Sequence, residues 1–309
     1  MPKLLQGSRV CIRLTARCSK VQAFGGSHTE RKLDVLTKYL SAYVKVMKNW
    51  RQFDLHYVDG FAGSGASEAK GKQEETLDPG LFETARITQG SPMRALGIDP
   101  PFDRYLFIDE DEANVASLGQ AIQTHVNGGR AVVAHGDANK AISDFCQQIR
   151  HRKNARAVVF LDPFGRSVRW ETVVALAQTG KVDLWYLVPV HAISRQVTDK
   201  GEFLPSADKT DLMWGSQSWR EMAVRTADTT HDLFGQVDER LEKIARAKQF
   251  SEMFRDHLKE AFDGRVSDVY LPLGKGKLHE FSLMFACANP SANAFQAALR
   301  IATHILRTA

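Results

Sequence analysis

The chain has 309 residues, 43% hydrophobic and 25% charged, with a net charge of +5 and a pI near 9.0. That length can bury a large core as one elaborated domain or two smaller ones. No apolar run approaches the ~18 residues of a membrane span and no signal-peptide core opens the chain, so a cytoplasmic protein is expected, with a positive charge that permits an anionic partner without requiring one.

Residues 1–26 carry no clear period and read as an N-terminal extension before a domain at 27–309. "SHTE", Ser27 to Glu30, has the hydroxyl-to-carboxylate spacing of a capping box. Leu33, Leu36, Leu40, Val44 and Met47 follow at helical intervals and predict a first helix. "LHYVDG" then predicts a first strand and "RYLFIDED" a second, with Val115, Leu118 and Ile122 marking the helix after it. "RAVVAHGDAN" is a third strand before a helix with Ile142, Phe145 and Ile149. "RAVVFLDPFG" and "VDLWYLVPV" are nearly all apolar, as strands covered on both faces should be, and the helix between them carries Trp170, Val173, Val174 and Ala177. This alternation predicts an α/β fold, a doubly wound Rossmann-like parallel sheet with helices on both faces.

The alternation then stops. Residues 191–262 offer no convincing strand, while Leu233, Val237, Leu241 and Ile244, then Phe250, Phe254 and Leu258, predict a helical insertion. "DVYLPL" and "HEFSLMFACAN", joined by "GKGK", predict a closing antiparallel hairpin, and Phe295, Leu299, Ala302 and Leu306 a final helix.

Ligands bind such sheets at the carboxyl ends of the strands. Those tips carry Asp59, Asp109, Asp137 and Asp162, expected to line one cleft. A lone tip aspartate usually caps the next helix; four in succession argue for a site. A dinucleotide site wants an acid about 20 residues beyond its glycines, and Asp109 lies much farther from Gly60, Gly63 and Gly65 than that. No Gly-Lys-Ser/Thr follows the glycines, so a Walker loop is absent as well.

The order Asp59-x-Phe61-x-Gly63-x-Gly65 instead resembles the first motif of class I S-adenosylmethionine-dependent methyltransferases. "DPFG", Asp162 to Gly165, resembles the (D/N)PP(Y/F) motif of enzymes that methylate exocyclic amines, with the second proline missing and Phe164 one position early. With "GSP" at Gly90 to Pro92, the set is similar to bacterial enzymes that methylate adenine N6 in large-subunit ribosomal RNA. It resembles most the three-Cys-motif partner family (TcmP), which shows a Tyr–Leu pair (Tyr39, Leu40), DGFAGxG, GSP, F-I-D/E and D-P-F-G in that order. The likeness covers about residues 30–190 and the closing hairpin. It implies a methyltransferase-like fold and S-adenosylmethionine as cofactor, held by Lys32, Asp59, Gly60, Phe61, Gly63, Gly65, Ser91, Asp109 and Asp137. It also implies an amine site at Asp162, Pro163 and Phe164, and a separate protein bearing a three-cysteine motif of radical-enzyme type as partner. Two readings stay open: an enzyme acting on a nucleobase or related planar amine, with nucleic acid as a further partner, or a degenerate methyltransferase fold serving as that partner's binding subunit.

Other features weigh less. Cys11, Cys18, Cys146 and Cys287 form no CxxC pair, and no metal site is expected. His56, His135 and His191 near strand ends read as satisfied turn histidines. The run "RHRKNAR", Arg150 to Arg156, reads as a solvated turn ahead of a phosphate-contacting patch. Trp214, Trp219 and Phe234 read as helix packing ahead of a base-stacking wall.

Overall fold

The computed structural model describes residues 27–68, 87–231 and 237–309. The extension at 1–26, with Cys11 and Cys18, lies outside them, as do Leu233 and Phe234. Helix α1, Ser27–Met47, leads into β1, Asp54–Asp59. Two short strands, β2 (Ala66–Glu68) and β3 (Ile87–Gln89), pair antiparallel before α2, Ser91–Leu96. Then follow β4 (Arg104–Asp109), α3 (Glu112–Gln123), β5 (Ala131–His135), α4 (Ala138–His151), β6 (Ala155–Leu161), α5 (Trp170–Ala177) and β7 (Val182–Val188). The predicted alternation is present element by element.

These strands form a seven-stranded sheet in the order β10-β11-β7-β6-β1-β4-β5, where β10 is Leu271–Leu273 and β11 is Phe281–Cys287. β5, β4, β1, β6 and β7 run parallel; β11 is antiparallel to β7 and to β10. That is the doubly wound sheet with a closing hairpin that the sequence predicts. The order in which strands are added reverses between β1 and β6, so the loops leaving their carboxyl ends run to opposite faces and leave a crevice there.

Strand alternation sorts the core. Tyr57, Tyr105, Phe107, Phe160, Trp185 and Phe285 face α1, α2, α3 and the final helix α10, Ala292–Arg307. Val58, Ile108, Val159, Leu161, Leu184 and Tyr186 face α4, α5 and the insertion. Cys146 and Cys287 are buried free thiols within these layers.

The insertion needs one correction. It is helical at α6 (Val190–Ser194), α7 (Asp208–Trp214), α8 (Ser218–Ala223) and α9 (Ala247–Ala261), and α9 buries Phe250, Phe254 and Leu258 as predicted. Between them stands an antiparallel hairpin, β8 (Val224–His231) and β9 (Val237–Lys243), where a helix was expected. Val237 and Leu241 sit four apart, a spacing that puts residues on one face of a strand as readily as of a helix. Val224, Thr226, Thr229 and Thr230 on β8 are β-branched, which favours the strand. Trp214 and Trp219 are sealed in the core against Phe254 and Phe250, so neither can stack on a base.

Candidate active site at the switch point

Two loops meet where the strand order reverses: residues 60–65 after β1 and residues 162–165 after β6. Together with the start of α1 and the closing hairpin they wall a cavity of about 360 Å³, a size that suits a small organic ligand. Of the sequence-predicted residues, Lys32, Phe61, Gly63, Gly65, Ser91, Asp162, Pro163 and Phe164 line it.

The glycine-rich loop is folded tightly. Gly60 N donates to Phe160 O at 3.0 Å, and a Cβ on Gly60 would come 2.9 Å from Leu161 Cδ2. Gly65 has φ +80°, and a Cβ there would stand 2.8 Å from Leu118 Cδ1. The left-handed backbone at Gly65 favours glycine, whereas at Gly60 a side chain would need Leu161 to shift.

Two of the tip aspartates build this loop and do not open onto the cavity. Asp59 is fully buried and accepts from Phe61 N at 3.2 Å, from the Tyr57 hydroxyl at 3.3 Å and from Ser91. Burial pushes its carboxyl up to about 7, against the pull of those donors. Asp109 accepts from Gly63 N at 2.7 Å, from Asp111 N at 2.9 Å and from Asn114 Nδ2 at 3.0 Å. It thereby ties the tip of β4 to the loop after β1. A carboxylate has about four acceptor positions, so one remains for a further donor.

Asp137 caps α4: its Oδ1 accepts from Asn139 N at 2.6 Å and Lys140 N at 3.2 Å. Both bonds fall on Oδ1, which leaves Oδ2 facing outward from an exposed residue. The expectation that four carboxylates line one cleft is therefore corrected. All four stand on one edge of the sheet, but Asp162 alone among them lines the cavity. Acids at buried tips satisfy backbone amides before they face a void.

Asp162 is ion-paired with the Lys32 ammonium of α1, both side chains part-buried at 23% and 14% exposure. Phe164 is half exposed, and Gly165 turns the chain with φ +64°. His28 and Thr29 at the start of α1, and Lys275, Glu280 and Phe281 of the closing hairpin, complete the wall. Burial outweighs Glu280 and lowers the His28 pKa below its usual value. Sequence reasoning missed these residues, although "GKGK" placed a tight turn beside Lys275.

The remaining histidines do not converge on a site. His56 bonds Asp54 at the opposite end of β1, His135 bonds Glu110 O, and His191 lies on α6. Among the described residues no group of three His, Cys, Asp or Glu is placed to hold a metal ion, and no helix is long and apolar enough to cross a membrane.

No protein-family model matches the sequence, and no curated protein matches it. Solved structures do. LPL1258 from Legionella pneumophila is 14% identical with a TM-score of 0.41, covering 78% of this chain and 94% of that one. An S-adenosylmethionine-dependent methyltransferase from Clostridium acetobutylicum is 9% identical with a TM-score of 0.34, covering 81% and 91%. At so low a TM-score neither likeness bears on function, and the fold class rests on the strand order itself.

Proposed function

We propose that the chain is an S-adenosylmethionine-dependent N-methyltransferase acting on an exocyclic amine of a nucleobase or similar planar molecule. The observation that carries this reading is that the glycine-rich loop and the Asp162–Gly165 loop wall the same cavity at the switch point. The residues present suit the cofactor. Lys32 offers a cation for its carboxylate, and the Gly63 turn (φ +62°), where an added Cβ would meet nothing within 4 Å, lets the backbone approach closely. Asp109 fixes this turn through Gly63 N without facing the cavity, and the family resemblance assigns the adenine amino group to Asp137, an exposed residue beyond the lining whose bonds both fall on Oδ1.

Bound there, the cofactor supplies an electrophilic methyl group on a cationic sulfur. The chain's task is alignment. Asp162 and the Pro163 carbonyl accept from the two N–H groups of the amine and aim its lone pair at the methyl carbon, while Phe164 packs on the ring. That nitrogen would take the methyl group, with the sulfur leaving as a neutral thioether. The methylated nitrogen then loses one proton, and Asp162 is the acceptor beside it. No strong base is needed beforehand, because holding the partners in line supplies much of the rate. A nucleobase in a duplex would have to leave its stack first, so unpaired substrates should react best.

The motif order further supports work alongside a three-Cys-motif protein. One observation favours a second reading, a degenerate fold that only binds this partner: Lys32 already neutralises Asp162. Calorimetric titration with S-adenosylhomocysteine separates cofactor binder from non-binder, and no heat from a folded sample would remove the cofactor reading. Transfer of tritiated methyl to a nucleic acid or planar amine would remove the degenerate one.

A further inference from the structure

A second cleft, of about 300 Å³, opens at the other end of the sheet between α4 and the starts of β1, β4 and β5. Asp54 begins β1 at this end and Asp59 ends it at the other, five residues on. At about 3.3 Å per residue, roughly 17 Å separates the two ends. The cleft is thus distinct from the switch-point cavity.

Its walls follow from register. His56 pairs with Arg104 across β1 and β4, and Val58 with Leu106; Leu106 in turn pairs with Val132 on β5. These residues share one face of the sheet. α4 covers the β1 side with Phe145 and Ile149, both buried. Val132 is left 61% exposed beside partly buried Leu106. The floor is therefore aliphatic and open to solvent at Val132.

The rim is cationic. Arg104 leaves the floor of β4, Arg130 ends the short helical turn Gly128–Arg130, and Arg152 follows the last turn of α4. Their side chains are 61%, 46% and 49% exposed. Arg104 Nε and Arg152 Nη1 stand 3.4 and 3.8 Å from one oxygen of Asp54, which His56 also bonds at 3.0 Å. Arg130 lies 3.9 Å from Asp103, whose Oδ1 is already taken by Lys48 at 2.6 Å. Four cations thus face two carboxylates, and two positive charges are left over. Each guanidinium carries five N–H donors in a planar fork that suits phosphate.

An apolar floor open to solvent at Val132 and rimmed by excess guanidinium groups is complementary to a nucleotide unit, with its flat base and its charged phosphate. We propose that this cleft docks single-stranded nucleic acid, with Arg104, Arg130 and Arg152 on backbone phosphates and a base on the Val132–Leu106 floor. The "RHRKNAR" run contributes Arg152 to it and is more than a solvated turn. The inference does not depend on the cofactor cavity, because binding is read without S-adenosylmethionine.

The test is fluorescence anisotropy of a labelled single-stranded RNA 12-mer with the full chain, over a series of salt concentrations. The variant Arg104→Ala/Arg130→Ala leaves Asp54 with Arg152 and His56, and Asp103 with Lys48, so no carboxylate loses all its partners. It should bind at least tenfold more weakly, with a salt slope lower by about 1.4, at ~0.7 per phosphate contact. The control Arg300→Ala/Arg307→Ala removes the same charge from exposed positions on α10 and should change affinity less than threefold. Val132→Glu, which keeps every arginine, should weaken binding as much as the double variant. Three results would each overturn the proposal: no binding by the wild type at 50 mM salt, equal losses in the cleft and control variants, or displacement of the oligonucleotide by inorganic phosphate at equal phosphate concentration.

Discussion

At the scale of single residues, the tip aspartates have separable work. Asp162→Ala removes the group proposed to hold the amine and should lower methyl transfer at least 100-fold while cofactor affinity stays within about threefold. Asp109→Ala cuts the tie to Gly63 N and should chiefly weaken cofactor binding. Calorimetry and single-turnover transfer, run on both variants, tell the two roles apart. Asp59 carries a pH signature. Its folded pKa of about 7 lies above the ordinary aspartate value of about 4, so between those pH values the folded state binds the proton more tightly than the unfolded state. Stability from this group is full below about pH 4 and is lost as pH rises to 7, by as much as about 4 kcal/mol. Asp59→Asn has no such proton. The melting temperature of the wild type relative to the variant should therefore fall from pH 4 to pH 8, and a constant difference would show that Asp59 stays ionised.

At the scale of elements, the loop after β1 depends on the left-handed turn at Gly65. Gly65→Ala meets both a left-handed backbone and the Leu118 side chain, and should cost about 1–3 kcal/mol and weaken cofactor binding together. A thermal melt and a titration on one sample check both. The sequence was legible here for a physical reason. Strands buried on both faces leave unbroken apolar runs such as "RAVVFLDPFG", and a run that ends in acid and glycine marks the tip. Which way a tip acid turns was not legible, since Asp59 bonding amides and Asp162 facing a cavity have the same local pattern. Nor was β8–β9, because Val237 and Leu241 satisfy both periods. The closing hairpin and the start of α1 join the cavity only through tertiary packing, so Glu280, Phe281 and His28 had no local signal.

At the scale of the whole molecule, α1 spans the sheet from one edge to the other. Lys32 reaches the switch-point cavity, while Tyr39, seven residues on, donates its hydroxyl to Asp183 at 2.7 Å near the start of β7. Seven residues at 1.5 Å put these two points roughly 10 Å apart along the axis. Asp183 is buried, and desolvation raises its pKa, so the Tyr39 hydroxyl and the Cys287 thiol are the donors that make its burial tolerable. The Tyr39 ring also packs edge-on to Trp185 at 5.2 Å and against Phe285 at 5.0 Å. Tyr39→Phe keeps that ring packing and removes only the hydroxyl, leaving a buried acid short of one donor. The expected cost is about 1–3 kcal/mol of global stability. The helix remains anchored by Leu36, Leu40 and Val44, all at most 1% exposed, so Lys32 should keep its place. Denaturant unfolding should therefore show the full loss, while affinity for S-adenosylhomocysteine changes less than threefold. A parallel loss of affinity would mean that the two ends of α1 are coupled, and that the cavity is set by the packing at the far edge of the sheet.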